Sequence, residues 1–147
     1  MIKVLSFRVA GKLFGIEITE VKEINRNVEY ATVPRATAHI VGLFNMRGQI
    51  VTLFNLAAIL GLADRSKRGG RVTCIILKQG AGSANQCGFV IDEPGDVLDL
   101  DYALVEDPPS QLLSDQSDHI AKVARLPDEL LLIIQPQTVF DHHNQQK

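Results

Sequence analysis

A chain of 147 residues suffices for one domain with a real core, or for two very small units sharing one. An apolar fraction of 46% with 22% charged residues excludes a disordered tail, and no apolar run reaches the ~20 residues that would cross a bilayer as a helix. Net charge is only -2, but it is unevenly spread: residues 1–71 carry 11 Lys+Arg against 5 Asp+Glu, and residues 72–147 carry 4 against 12. Chance placement on solvated loops explains this split; so does head-to-tail association, in which the basic half of one copy meets the acidic half of the next. The start, Met1 to Ser6 followed by Arg8 and Lys12, lacks the apolar stretch and small-residue cleavage site of a signal peptide, so a cytoplasmic location is expected. Cys74 and Cys87 stand in apolar contexts and read as buried free thiols.

Along the chain, short runs of Val, Ile, Leu and Phe are broken at close intervals by Gly, Pro, Asn and Asp, the pattern of a mostly β protein. Val4 to Val9 and Leu13 to Ile18 flank Ala10-Gly11-Lys12 as a hairpin, and Leu43 to Met46 with Ile50 to Phe54 flank Arg47-Gly48-Gln49 as a second. Leu56 to Leu60 reads as a short helix with Asn55 as N-cap and Gly61 as its stop. Ala63 to Gly70 is a polar, basic connector, and a new set of strands begins at Arg71.

The second half echoes the first. His39-Ile-Val-Gly-Leu-Phe-Asn-Met-Arg-Gly aligns without a gap on His119-Ile-Ala-Lys-Val-Ala-Arg-Leu-Pro-Asp at an offset of 80, and the apolar pattern continues through both following strands into a helix. Upstream, Phe14-Gly15-Ile16 aligns on Cys87-Gly88-Phe89 at an offset of 73, pairing Glu20 with Glu93 and Ile24 with Val97. The extra seven residues fall in the Pro-broken loop before His119. Each copy is a roughly five-stranded unit, and closing so short a sheet into a barrel removes its exposed edges. The expected architecture is one domain over 1–147, built from two small SH3-like barrels side by side, approximately 1–70 and 71–147.

Catalytic grammar is missing. There is no phosphate loop, no nucleophile elbow and no zinc-protease motif. Gly80-Ala-Gly-Ser-Ala-Asn has two glycines of a dinucleotide fingerprint but lacks the third and a following helix, so it reads as a hairpin loop. Asp118-His119 and Asp141-His142-His143 place acids beside imidazoles, but neighbours on a strand point to opposite faces and the second group is terminal. No catalytic, metal or cofactor site is expected. The connector's Arg65, Lys67, Arg68 and Arg71 have no aromatic residue for a base to stack on, so nucleic acid is not an expected partner.

The chain resembles CheW-type chemotaxis coupling proteins over nearly its whole length. The markers are Phe14-Gly15-Ile16 with Ile18, then Val21-Lys22-Glu23-Ile24, Val33-Pro34, Gly42, Asn45-Met46-Arg47-Gly48 and Leu56, at the family's spacing. The resemblance implies two five-stranded barrels and a non-enzymatic adaptor without cofactors. Its implied partners are the cytoplasmic tips of chemoreceptors and the regulatory domain of the histidine kinase CheA, with self-association as a further option and no membrane insertion. By position it assigns Val21, Glu23, Ile24, Asn45, Met46, Arg47 and Gly48 to the receptor side; it assigns no residues to the kinase side. Arg47 has two readings, a tie across the barrel to carbonyls or to a carboxylate such as Glu23, or a direct contact with an acidic or carbonyl-rich receptor tip; Val21 and Ile24 are either core or apolar anchors. Thr37 where relatives often have proline, Asn55 where they often have Asp, and Lys122 at the repeat position of Gly42 are departures. They leave open a competitor that caps array positions without activating kinase, or service in a surface-sensing or pilus pathway.

Overall fold

The computed structural model describes residues 1–62, 71–78, 86–109 and 119–139. The connector 63–70, the Gly80 to Asn85 loop, Asp118 and the Asp141-His142-His143 tail lie outside them. Eleven strands are described: β1 (Ile2–Val9), β2 (Lys12–Glu17), β3 (Val21–Glu29), β4 (Ile40–Met46), β5 (Gln49–Asn55), β6 (Arg71–Leu77), β7 (Gln86–Ile91), β8 (Glu93–Leu100), β9 (Val105–Glu106), β10 (Ile120–Arg125) and β11 (Leu130–Ile134). One helix, α1 (Leu56–Ile59), follows β5, and a helical turn at 136–139 follows β11. Asn55 caps α1 as expected, its side-chain oxygen accepting from the Ala58 amide at 3.2 Å, and Gly61 at φ 71° ends it.

Both early hairpins form, with loops one residue shorter than the sequence pattern predicts. Val9 pairs with Lys12 and Met46 with Gln49, leaving Ala10-Gly11 and Arg47-Gly48 as two-residue turns. All four residues have positive φ (53°, 79°, 51° and 87°), the signature of the type I′ turn whose twist matches that of the strands it joins.

The strands form a five-stranded sheet, β3-β6-β7-β5-β4, and a six-stranded sheet, β8-β1-β2-β11-β10-β9. The sixth strand is the two-residue β9, so the expectation of two small five-stranded units holds closely. The duplication is visible in the register. Ile40↔Phe54 and Asn45↔Ile50 in one sheet recur as Ile120↔Ile134 and Arg125↔Leu130 in the other, and the amides of Asn55 and Gln135 donate to the carbonyls of His39 and His119 at 2.7 and 2.8 Å.

The sheets do not divide at residue 70. β1 and β2 insert between β8 and β11, while β6 and β7 insert between β3 and β5, so each copy lends its first hairpin to the other. The exchange has four seams, the parallel pairings β5–β7 (Thr52↔Cys87) and β11–β2 (Leu132↔Phe14) and the antiparallel pairings β3–β6 (Ile24↔Ile75) and β1–β8 (Val4↔Leu98). The exchanged hairpins are covered on both faces, which explains why they read as near-continuous apolar runs. Val72, Cys74, Ile76 and Val90 line the interior of the first barrel with Val51 and Leu53; Ile75, Leu77, Phe89 and Ile91 face the opposite way, into a core shared with Leu5, Phe7, Phe14, Ile16, Phe54, Leu56, Ile134 and Val139. Val4, Ala124, Leu131 and Ile133 fill the second barrel. Charge follows the sheets: among the described residues, the 21–91 stretch that builds the five-stranded sheet has 6 Lys+Arg against 2 Asp+Glu, and the rest has 5 against 11.

Candidate functional site

The residues singled out by sequence gather at one rim of the five-stranded barrel, where its terminal strands β3 and β4 meet. The Arg47 guanidinium donates to both Glu23 carboxylate oxygens, at 3.2 and 2.7 Å, a bidentate pair between the β4–β5 turn and β3. Of the two readings of Arg47, the tie to Glu23 is the one the geometry contains. The turn that carries it is braced by Asn45, whose side-chain oxygen accepts from the Gly48 amide at 2.9 Å. Arg47, Gly48 and Asn45 are exposed.

Met46 corrects the sequence assignment. Its side chain is 3% exposed and points into the barrel with Val28, Val51 and Cys74, so it supports the rim from beneath and offers nothing to a partner. Val21 and Ile24 are half-buried: each packs against the shared core and leaves part of its side chain accessible. β3 achieves this by irregularity: its register against β6 shifts between Val21 and Glu23 and again between Asn25 and Val28. Bulges re-aim side chains. Here they turn Val21 and Ile24 toward the shared core and Glu23 toward Arg47, while Val28 still fills the first barrel.

Two neighbours escaped the sequence reading. Ile50, just past the turn, is 65% exposed, and the signal was present: Val51 and Leu53 point inward, so strand alternation sends Ile50 outward. Asn25 donates from Nδ2 to the Met46 sulfur at 3.6 Å. In the second barrel the repeat positions of Ile24 and Ile50 are Val97 and Leu130, exposed at 50% and 56%, but Pro127 stands in place of Arg47.

Arg47 holds the Glu23 carboxyl below its ordinary 4.5, first through the hydrogen bonds and then through charge, with Asn25 adding to the effect. Arg8 does the same to Glu129, through bonds of 3.1 and 2.7 Å, and Lys122 to Asp107. A carboxyl whose folded pKa is depressed contributes stability that is present above the unfolded pKa and is lost as pH falls through the folded value. The urea midpoint should therefore be flat from about pH 7 to about pH 5 and decline below. Glu23→Gln should flatten part of that decline; an unchanged slope would remove Glu23 from the account.

Other chemistry finds no footing among the described residues. No three His, Cys, Asp or Glu side chains sit close enough to hold a metal ion, and no helix is long and apolar enough to cross a membrane. Both cysteines are free, and burial pushes the Cys74 thiol up to about 12, far from a reactive thiolate. His119 is buried at 2% and its Nδ1 lies 3.1 Å from the Thr138 hydroxyl, which donates to the Gln135 carbonyl, so the ring ties the last helical turn to β10.

Two hairpin-exchanged barrels carrying a clasped ion pair between aliphatic side chains define a small two-barrel β domain. Comparison with known proteins gives that class its family: the model of the CheW-like domain matches residues 3–144, and the chain belongs to that family. It is 26% identical over 144 residues to the chemotaxis protein CheW of Bacillus subtilis (strain 168), covering 98% of this chain and 90% of that one. It is 25% identical over 148 residues to the chemotaxis protein CheW of Treponema pallidum (strain Nichols), covering 99% and 85%. The crystal structure of the scaffolding protein TtCheW from Thermoanaerobacter tengcongensis superposes with a TM-score of 0.82 at 25% identity, covering 95% of this chain and 92% of that one.

Proposed function

We propose that this protein is a non-enzymatic adaptor that couples the cytoplasmic tips of chemoreceptors to the histidine kinase CheA. It would act in the cytoplasm, at receptor arrays on the inner face of the membrane. The observation that carries this reading is the rim itself: the Glu23–Arg47 pair, with the half-buried Val21 and Ile24 beside Glu23 on β3 and the exposed Ile50 just past the Arg47 turn, in a chain that belongs to the CheW-like family. A helical receptor tip docks through apolar anchors on one stripe, and its polar flanks need fixed partners. The rim supplies aliphatic groups for the first and an oriented guanidinium and carboxylate for the second. Nothing in this role requires turnover; the protein's work is to hold two others in register.

The test is reconstitution. Purified protein, receptor signalling fragments and CheA are combined, and kinase autophosphorylation is followed for the wild type, Ile50→Asp and Ile24→Asp. Ile50→Asp alters an exposed side chain, so stability should move by no more than about 0.5 kcal/mol while receptor binding and kinase activation fall. Ile24→Asp places a carboxylate against the shared core and should cost about 1–3 kcal/mol of stability as well. Binding without activation would turn the assignment to a competitor that occupies array positions; absence of binding to either partner would refute the coupling role.

A further inference from the structure

Backbone pairing alone does not dictate which barrel receives which hairpin. Leu132↔Phe14 and Thr52↔Cys87 occupy the same position in the two copies, so β1–β2 and β6–β7 present equivalent edges to β11 and to β5. What differs is the mouth of each barrel. In the second barrel Leu13, Leu98 and Leu126 pack against the interior cluster. The Arg8 guanidinium donates to both Glu129 oxygens at 3.1 and 2.7 Å, and the Asp92 carboxylate accepts from the Ala10 amide at 2.7 Å. In the first barrel the repeat counterparts of those three leucines are Gln86, Asn25 and Met46; Gln49 replaces Glu129 and Thr19 replaces Asp92. Gln86, 7% exposed, donates from Nε2 to the Gln49 Oε1 at 3.3 Å. One mouth is apolar and tied by charge; the other is lined with amides.

Each hairpin suits one mouth only. Beside β5, Arg8 would face the neutral amide of Gln49, the Ala10 amide would face Thr19, and Leu13 would stand where Gln49 needs a donor. Beside β11, Gln86 would carry its amide in among leucines. Glu129 would then exchange the two-pronged guanidinium for Lys78, which holds the place of Arg8 in β6 register and offers a single ammonium. Gln86 is also imperfectly satisfied where it is: its own Oε1 is buried with no hydrogen-bond partner among the described residues. An apolar side chain would leave no such orphan, so the amide serves specificity better than stability.

We infer that these side chains are the addresses of the two hairpins: Arg8 and Leu13 send β1–β2 into the second barrel, and Gln86 sends β6–β7 into the first. The crossed arrangement, in which each copy keeps its own hairpin, is the competitor they disfavour. This inference concerns the chain's own pairing and stands whether or not the adaptor reading does.

Refolding of the full-length chain from urea, followed by fluorescence-free two-dimensional NMR, tests it. Native pairing shows as cross-strand contacts between Phe14 and Leu132 and between Thr52 and Cys87; crossed pairing shows as Phe14 with Thr52 and Cys87 with Leu132. Gln86→Leu should leave the urea midpoint unchanged or raised, yet slow recovery of the native contacts several-fold, because crossed molecules must reopen before they can pair correctly. The triple variant Arg8→Gln, Leu13→Gln, Gln86→Leu should show crossed contacts in a tenth or more of the refolded molecules. A lowered midpoint in Gln86→Leu would make Gln86 an ordinary stabilising contact and overturn the address. So would native contacts alone, regained at the wild-type rate, in the triple variant. Should the triple variant fail to fold, Gln86→Leu still decides: recovery as fast and complete as that of the wild type overturns the inference.

Discussion

Gly42→Ala should destabilise the protein by about 1–3 kcal/mol, and by more if the backbone cannot yield, with urea denaturation as the measurement. Gly42 is buried where β4 passes under the end of β3. A Cβ there would collide with the Ala31 carbonyl oxygen and come within 2.8 Å of the Tyr30 ring. That carbonyl accepts from the Leu43 amide, so the added methyl pushes on the Ala31–Leu43 backbone bridge that joins the end of β3 to β4. Side chains can rotate away from a methyl; a carbonyl fixed in a bridge cannot. The second copy provides the control. Lys122 stands at the repeat position, where β10 pairs with β9 and the side chain reaches Asp107, so Lys122→Ala should leave stability within about 0.5 kcal/mol. Equal effects at the two positions would contradict the difference in closure.

Separating the halves should have a still larger effect. Fragments 1–66 and 67–147, made apart, should each show no cooperative unfolding transition, because β3 and β5 lose β6 and β7 while β1 and β2 lose β8 and β11. The shared core is lost with them, since Phe7, Phe14 and Phe54 come from one fragment and Phe89, Ile134 and Val139 from the other. Mixed together, the fragments should regain strand structure and a dispersed amide spectrum. A fragment that folds alone would show that a copy can retain its own first hairpin.

The sequence and the structure part company at particular places. The hairpins, the capped helix, the start of the second copy and the register of the repeat were legible because turns and alternation are local signals. The exchange was not, because a repeat shows which segments are alike and leaves open which copy each will pair with. Phe14-Gly15-Ile16 looks the same whether its neighbour is β5 or β11. The partner of Arg47 was legible only as one option among several: a guanidinium in an apolar strand pair needs acceptors, and Glu23 stood beside backbone carbonyls and a receptor contact as candidates until the geometry placed its carboxylate at 2.7 Å. The orientation of β3 was hidden by its two register shifts, each of which resets the alternation from which burial is read. Met46 was misassigned because membership of a motif does not give the side on which a residue points.

The hairpin exchange also sets the order in which the chain can be completed during synthesis. Once Asn55 has left the ribosome, β3, β4 and β5 are made, but the two strands that belong between them are not, and the apolar sides of Val51 and Leu53 have no barrel to enter until Ile91 follows. At about 5–20 residues per second that interval is a few seconds, long compared with hairpin formation in about 1–10 μs. The first hairpin waits longer, since β2 meets β11 only after Ile134 is made. The nascent chain thus carries its first apolar hairpin without β11 through most of its synthesis, and a second unpaired one from Asn55 to Ile91, a window in which a holding chaperone would find its substrate and in which two neighbouring nascent chains could trade hairpins with each other.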